Sequence, residues 1–155
     1  MRDHAREIEN LLYLYAERID AGDFEGVGAL LGHCTIVTAD GQNVATGADA
    51  IYRLYEQSTR RYDDDGTPHT QHVITNVIVE IDESAQAASA RSRFTVLQAL
   101  PNLPLQTIVA GRYVDQFELV GESWRFRERC MKVEHLGRLD QHLLIDLSDT
   151  PHDEK

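Results

Sequence analysis

The spacing of apolar residues along the chain changes at Pro68 from a helical repeat to a strand repeat. Before that proline, apolar residues recur every three or four positions, and they predict an amphipathic first helix over residues 3–21. Gly22 has the place of a C-cap for this helix, and Asp23 has the place of an N-cap for a short second helix. Residues 20–23 are therefore predicted to form a tight corner between two helices.

A short hairpin and a third helix are predicted between this corner and the proline. Residues 34–38 and 42–46 have the composition of two short strands, and the Asp-Gly pair between them is a common hairpin turn signal. Helical spacing resumes at about Ala48, and residues 60–68 then read as an exposed polar loop.

After the proline, apolar and polar residues alternate with a period of two, which predicts four long strands. These strands cover residues 70–82, 86–99, 105–119 and 124–134, with a break at 101–104. Short links between consecutive strands imply an antiparallel meander. The predicted fold class is α+β, with a curved antiparallel sheet of four long strands and a short hairpin wrapped around three N-terminal helices. The open end of such a cone can hold a small ligand.

One domain is expected over residues 1–140, because a chain of 155 residues can bury enough surface for a single core. Residues 141–155 are predicted to be a C-terminal extension. Within it, residues 143–145 are apolar enough to pack as a short element, and residues 150–155 are expected to be a disordered tail.

Composition excludes several classes of function. With 15 Lys and Arg against 26 Asp and Glu, the net charge of −11 argues against a nucleic-acid partner. No apolar run approaches the roughly 20 residues of a membrane span, and the N-terminus lacks the apolar core of a signal peptide. We therefore expect a cytoplasmic protein with no membrane partner. Cys34 and Cys130 lie in apolar strand contexts and are predicted to be core residues.

Three segments, in the family order, resemble the SnoaL-like branch of the NTF2-like superfamily. They are I-x2-L-x3-Y-A-x3-D-A-G-D over residues 8–23, T-Q-H-V-I-T-N over 70–76, and G-R-Y-x-D-x-F-E with W-R-F-x-E-R over 111–118 and 124–129. The resemblance implies an NTF2-like cone with a pocket. That fold is shared by dehydratases, a dehydrochlorinase, polyketide cyclases, ketosteroid isomerase and non-catalytic dioxygenase β subunits, so it does not imply one reaction.

The resemblance singles out Asp20 and His72 as a catalytic pair. In scytalone dehydratase and the dehydrochlorinase, an aspartate near the end of the first helix accompanies a histidine at the start of the first long strand. A neutral imidazole is a competent base at pH 7, and a carboxylate on its other nitrogen stabilises the imidazolium that forms. The alternative is that Asp20 is a surface acid at a helix corner and that His72 is a structural histidine.

The chain departs from scytalone dehydratase at two positions. Gln98 stands where that enzyme has a second histidine, and Ile19 stands where it has the tyrosine that precedes the aspartate. An amide can form hydrogen bonds but cannot act as a general acid, which argues against scytalone as the substrate and leaves the acid unassigned. The remaining candidates for binding a substrate in the pocket are Tyr15, Asn76, Gln98 and Tyr113.

Other polar residues carry less signal. His69 and His72 would point to opposite faces of a strand, and no Glu or Cys completes a metal site, so no metal is expected. Four further histidines in loop or tail contexts have no pattern: His33, His135, His142 and His152. Three arginines alternate along the last strand and are predicted to form a solvated or interface face: Arg125, Arg127 and Arg129.

Two interpretations of function follow. The first is a cofactor-independent lyase or isomerase of the dehydratase type that acts on a small hydrophobic, cyclic molecule. The second is a non-catalytic ligand-binding protein or accessory subunit that resembles the dioxygenase β subunits. In both, we expect a homo-oligomer, either a dimer or a trimer, that pairs through the outer face of the sheet.

Overall fold

The computed structural model describes residues 1–84 and 86–147, in which three helices pack against one six-stranded sheet. The helices are α1 (His4–Asp20), α2 (Phe24–Leu30) and α3 (Ala48–Ser58). The strands are β1 (Thr35–Val37), β2 (Asn43–Thr46), β3 (Thr70–Asp82), β4 (Ala87–Leu100), β5 (Leu103–Val120) and β6 (Ser123–Leu136). The tail predicted over residues 150–155 lies outside the described residues.

The corner between α1 and α2 forms as the sequence predicts. Gly22 adopts a φ of +70°, and its N–H donates to the carbonyl of Ile19 while the N–H of Asp23 donates to that of Arg18. This pair of bonds is the Schellman arrangement, which satisfies the last carbonyls of a helix. Asp23 then caps α2 by accepting from the N–H of Gly26 at 2.8 Å. The corner fixes the place where α1 ends, at Asp20.

The sheet has the strand order β2-β1-β6-β5-β4-β3. Strands β3 to β6 form the predicted antiparallel meander. The short hairpin joins the same sheet because β1 pairs in parallel with β6, so the sheet is mixed. The predicted break at 101–104 is shorter than expected, since β5 already begins at Leu103. The fold is α+β, as predicted.

The hydrophobic core lies between the helices and the inner face of the sheet. From α1, the apolar stripe Ile8, Leu12, Tyr15 and Ile19 is buried. Cys34 and Cys130 are buried, as predicted, and burial raises the pKa of the Cys34 thiol to about 12. No helix within the described part of the chain has the length and apolar character that a transmembrane span requires.

The prediction for the arginines of β6 is wrong at Arg129, which is fully buried. The register of β6 against β5 shifts between Gln116 and Phe117, where a bulge inserts an extra residue. A bulge reverses the alternation of the residues beyond it, because the side-chain period of a strand is two. Arg127 is exposed, whereas Arg129 points into the core.

Candidate functional site

A cavity of about 330 Å³ lies between α1, α3 and the inner face of the sheet. Its wall is mainly aliphatic and aromatic, and Lys132 is the one lining residue with a permanent charge among the described residues. Side chains of residues 139–147 contribute a further part of the wall. A small apolar molecule is therefore the kind of ligand that this cavity suits.

His72 lies on the wall of the cavity and contacts Asp20. The Nδ1 atom of His72 lies 2.6 Å from Oδ1 of Asp20, and the His72 side chain is 5 % exposed. Since Nδ1 is engaged by the carboxylate, Nε2 is the ring nitrogen that remains for a ligand. The contact predicted between these two residues is therefore present, and their catalytic role stays a prediction.

The carboxylate of Asp20 is fixed by two further donors from β3. The backbone N–H of His72 donates to Oδ2 at 2.7 Å, and the hydroxyl of Thr70 donates to Oδ1 at 2.8 Å. Asp20 is the last residue of α1, where the helix dipole disfavours an anion. The donors of β3 compensate for this unfavourable position, and they orient the carboxylate toward the imidazole.

Aromatic rings surround this pair from the side of α1 and β5. The ring of Tyr15 meets His72 edge-on at a centroid distance of 6.2 Å, and it meets Tyr113 in the same way at 5.9 Å. The hydroxyls of Tyr15 and Tyr55 lie 2.8 Å apart and share a hydrogen bond. Burial raises the pKa of all three of these tyrosines, so they are neutral at pH 7.

A buried ion pair supports the aromatic wall from behind. Arg129 donates to both carboxylate oxygens of Asp115, at 2.8 and 2.9 Å, and neither side chain is exposed. The Cζ atom of Arg129 lies 4.3 Å from the ring centroid of Tyr15 and 4.0 Å from that of Tyr113. The guanidinium thus holds two cavity-lining rings through cation–π contacts.

Of the predicted pocket residues, the structure brings Tyr15 and Tyr113 to the cavity wall with His72. Gln98 and Asn76 are not among the described lining residues. Gln98 is buried behind the wall, where its Nε2 donates to the carbonyls of Pro68 and Gln141. Asn76 is exposed and has a φ of +55° at a bulge in β3, a conformation that Asn tolerates better than most residues. Gln98 and Asn76 therefore lie where they support the fold, and not on the cavity wall where a substrate would contact them.

His142 belongs to the cavity although its sequence context carried no signal. It is 4 % exposed, it lines the wall, and its ring centroid lies 6.2 Å from that of His72. Burial, together with the neighbouring His72, lowers the pKa of His142 to about 4. Only the packing of residues 139–147 against α3 and β4 brings this histidine to the site, and no local pattern encodes that packing.

His69 points away from the cavity. Its Nε2 lies 2.9 Å from Oδ1 of Asp64, and ligand-type atoms of Asp64, Asp65 and His69 all lie within 4.8 Å of one another. Both carboxylates are largely exposed. This grouping was not predicted, because strand spacing at His69 carries no information on its contact with the preceding loop. The three residues form a hydrogen-bonded cluster at the surface, and their mutual contacts explain their positions.

Comparisons with known proteins agree with this architecture. The model of the SnoaL-like domain family matches residues 2–130. A search among curated proteins gives no significant match.

Among the similar solved structures are three proteins from Novosphingobium aromaticivorans that illustrate the range of relatives. An NTF2-like protein with a cystatin-like fold is 18% identical, with a TM-score of 0.65, over 81% of this chain and 79% of that chain. A candidate scytalone dehydratase is 24% identical, with a TM-score of 0.64, over 84% and 83%. The β subunit of a candidate aromatic-ring-hydroxylating dioxygenase is 17% identical, with a TM-score of 0.63, over 85% and 90%. At these identities the likeness shows the fold alone.

Proposed function

We propose that this chain, which belongs to the SnoaL-like domain family, is a cofactor-independent lyase or isomerase that removes a proton from a small hydrophobic, cyclic molecule. His72 is the base and Asp20 is its partner. The observation that carries this proposal is the 2.6 Å contact between Nδ1 of His72 and Oδ1 of Asp20 beside an apolar cavity.

The carboxylate gives the imidazole the properties of a base. Asp20 keeps the proton of neutral His72 on Nδ1, so that the lone pair is on Nε2. When Nε2 takes a proton from a ligand, the positive charge of the imidazolium is stabilised by the adjacent carboxylate. Correctly placed general bases contribute roughly 10²- to 10⁴-fold to a rate.

The dimensions and polarity of the cavity support the proposed class of substrate. About 330 Å³ is near the lower end of the usual range for small-molecule pockets, about 300–1,000 Å³. Aliphatic and aromatic side chains dominate its wall, so binding is driven by burial of apolar surface at about 25 cal/mol per Å². A flat ring system of one or two rings fits such a space.

Hydrogen–deuterium exchange in a model ketone tests the proposal directly. The probe is 2-tetralone, a bicyclic ketone with acidic hydrogens beside its carbonyl, and the measurement is loss of its α-proton NMR signals in D₂O. We expect the wild-type protein to accelerate exchange above the buffer rate, and we expect His72→Gln to abolish the acceleration. His33→Gln, which changes an exposed histidine outside the cavity wall, is the matched control and should exchange like the wild type.

Exchange at the buffer rate in the wild-type protein would count against a base of this kind. If 2-tetralone nevertheless bound in the cavity, as measured by calorimetry, the result would favour the second interpretation, a ligand-binding or accessory protein. The similarity in fold to a dioxygenase β subunit is compatible with that outcome.

We also propose self-association through the sheet. β3 is an edge strand, and two of its large apolar residues, Ile78 and Ile81, are 47 % and 37 % exposed. Exposed edges and apolar side chains are commonly covered by a second subunit. Sedimentation equilibrium should give a dimer or trimer, and a concentration-independent mass of 17.5 kDa would contradict this.

A further inference from the structure

A second histidine faces the cavity beside the proposed base, and nothing in the proposed reaction yet uses it. His142 lines the wall and is 4 % exposed, and its ring stands at 66° to that of His72. Its Nδ1 atom is buried and has no hydrogen-bond partner within the described residues. Leaving a buried nitrogen without a hydrogen-bond partner is unfavourable, so its position at the cavity needs an explanation.

The backbone around His142 is held firmly, in contrast to its ring. The N–H of Arg60 donates to the His142 carbonyl at 2.8 Å, and the N–H of His142 donates to the carbonyl of Leu139 at 3.0 Å. On one side Gln141 accepts from the side chain of Gln98, and on the other Leu143 forms a bridge to Thr59. The segment thus presents an anchored imidazole to the cavity wall, and its Nδ1 has no partner within the described residues.

Other polar side chains near His72 already take part in hydrogen bonds. The hydroxyls of Tyr15 and Tyr55 share a hydrogen bond at 2.8 Å. Gln98, which stands at the position of a second histidine in scytalone dehydratase, donates to two backbone carbonyls instead. His142, by contrast, is a lining side chain beside His72 whose Nδ1 has no hydrogen-bond partner within the described residues.

His142 is neutral at pH 7, because burial lowers its pKa to about 4. A neutral imidazole carries one N–H donor and one lone pair. It can donate a hydrogen bond to an oxygen that gains negative charge without transferring its proton, and donors placed in this way are among the largest contributions to catalysis. An imidazolium would be less suitable here, since the adjacent base must itself become positively charged.

We propose that His142 binds the carbonyl oxygen of the substrate while His72 removes the proton from the neighbouring carbon, which makes the substrate an enolisable cyclic ketone. The C–H electron pair forms a C=C bond, and the C=O π pair moves onto the oxygen that accepts from His142. The proton then resides on Nε2 of His72. It returns to another carbon in an isomerisation, or it leaves with a β-substituent in an elimination.

This inference rests on the proposed function, and its test uses two variants, one ketone for exchange and two binding ligands that differ by one oxygen. His142→Leu removes the donor, and His142→Gln replaces it with an amide N–H. The probes are 2-tetralone for exchange, and 2-naphthol and naphthalene for binding. Naphthalene has the same ring system as 2-naphthol but no oxygen, so the ratio of their affinities isolates the hydrogen bond.

We expect His142→Leu to slow α-proton exchange at saturating 2-tetralone by about 10²-fold, the usual effect of removing such a donor. The same variant should bind 2-naphthol about tenfold more weakly while it binds naphthalene as the wild type does. His142→Gln should recover part of both effects, because its amide can still donate. Recovery by the amide would not occur if the imidazole only filled space.

Two results would overturn the inference. One is exchange in His142→Leu at the wild-type rate while His72→Gln remains inactive. The other is an equal loss of affinity for 2-naphthol and naphthalene, which would mean that His142 only shapes the wall. Absence of exchange in the wild-type protein is a failure of the proposed function instead, and the ratio of affinities would still test the hydrogen bond of His142.

Discussion

The side-chain amide of Gln98 donates to the backbone carbonyl of Gln141 at 3.1 Å and to that of Pro68 at 3.0 Å. One buried side chain of β4 thus connects the entry into β3, which carries His72, with the segment that carries His142. Gln98 therefore helps to position both histidines of the cavity, although it does not itself line the cavity wall.

Replacing Gln98 with Leu should weaken this support. The carbonyls of Pro68 and Gln141 would lose their buried donor, and we expect the free energy of unfolding to fall by about 1–3 kcal/mol. Urea denaturation measures this loss. Gln106→Leu is the matched control, because its Nε2 donates to Pro104 in an exposed position, and a loss as large as that of Gln98→Leu would contradict the prediction.

Asp20→Asn should remove catalysis with little effect on the fold. The amide oxygen can still accept from Thr70 or the N–H of His72, but an amide cannot stabilise the imidazolium. We expect α-proton exchange in 2-tetralone to fall by roughly 10²- to 10⁴-fold. Asp23→Asn is the control, because Asn is as good a helix N-cap as Asp and Asp23 lies outside the cavity wall. Similar rates in the two variants would exclude a role for the Asp20 carboxylate.

The depressed pKa of His142 predicts a loss of stability in acid. In the unfolded chain, this histidine takes up a proton near its ordinary pKa of 6.5, whereas in the folded protein it does so only near 4. Protonation in this window favours the unfolded state. Stability is therefore fully present above about pH 6.5 and declines toward pH 4, by on the order of 3 kcal/mol.

The comparison of wild type with His142→Gln isolates this contribution, since the carboxylates titrate in both proteins. The difference in free energy of unfolding between them should change between pH 6.5 and 4 and be constant above that range. His33→Gln, which removes an exposed histidine, provides the control. A difference that does not vary with pH would show that His142 is not buried as described.

The buried pair of Arg129 and Asp115 should matter far more to stability than any surface pair. Arg129→Met leaves the carboxylate uncompensated in the core, and we expect a loss of about 3–5 kcal/mol. Arg91→Met removes the partner of Glu80 at the surface, where both side chains are more than half exposed, and should cost at most about 1 kcal/mol. Equal denaturation midpoints for the two variants would contradict this.

The parts of this structure that the sequence predicts are those that depend on local repeats. The stripe of α1, the glycine corner and the alternation of β3 are all encoded within a few residues. The pairing of Asp20 with His72 is not encoded in a local repeat and was predicted from the resemblance to the SnoaL-like branch. Their separation of 52 positions is then bridged by the packing of α1 on β3.

The parts that were missed depend on interruptions and long-range packing. A bulge in β6 turns Arg129 inward, and a bulge in β3 gives Asn76 a positive φ. Neither bulge can be recognised from the alternation of apolar and polar residues in the sequence. His142 reaches the cavity because residues 139–144 bond to α3 and β4. An irregular segment has no periodic pattern from which the position of His142 at the cavity wall could be predicted.

The position of Asp20 at the end of α1 restricts where residues can be inserted into or deleted from this chain. Each residue of an α-helix turns the chain by roughly 100°, and Tyr15 and Ile19 fix the rotation of α1 against the core. Adding or deleting one residue between Tyr15 and Asp20 would swing the carboxylate away from His72. Insertions should therefore be tolerated in surface turns such as 121–122, whereas the residue count of this last helical turn cannot vary without separating the acid from its base.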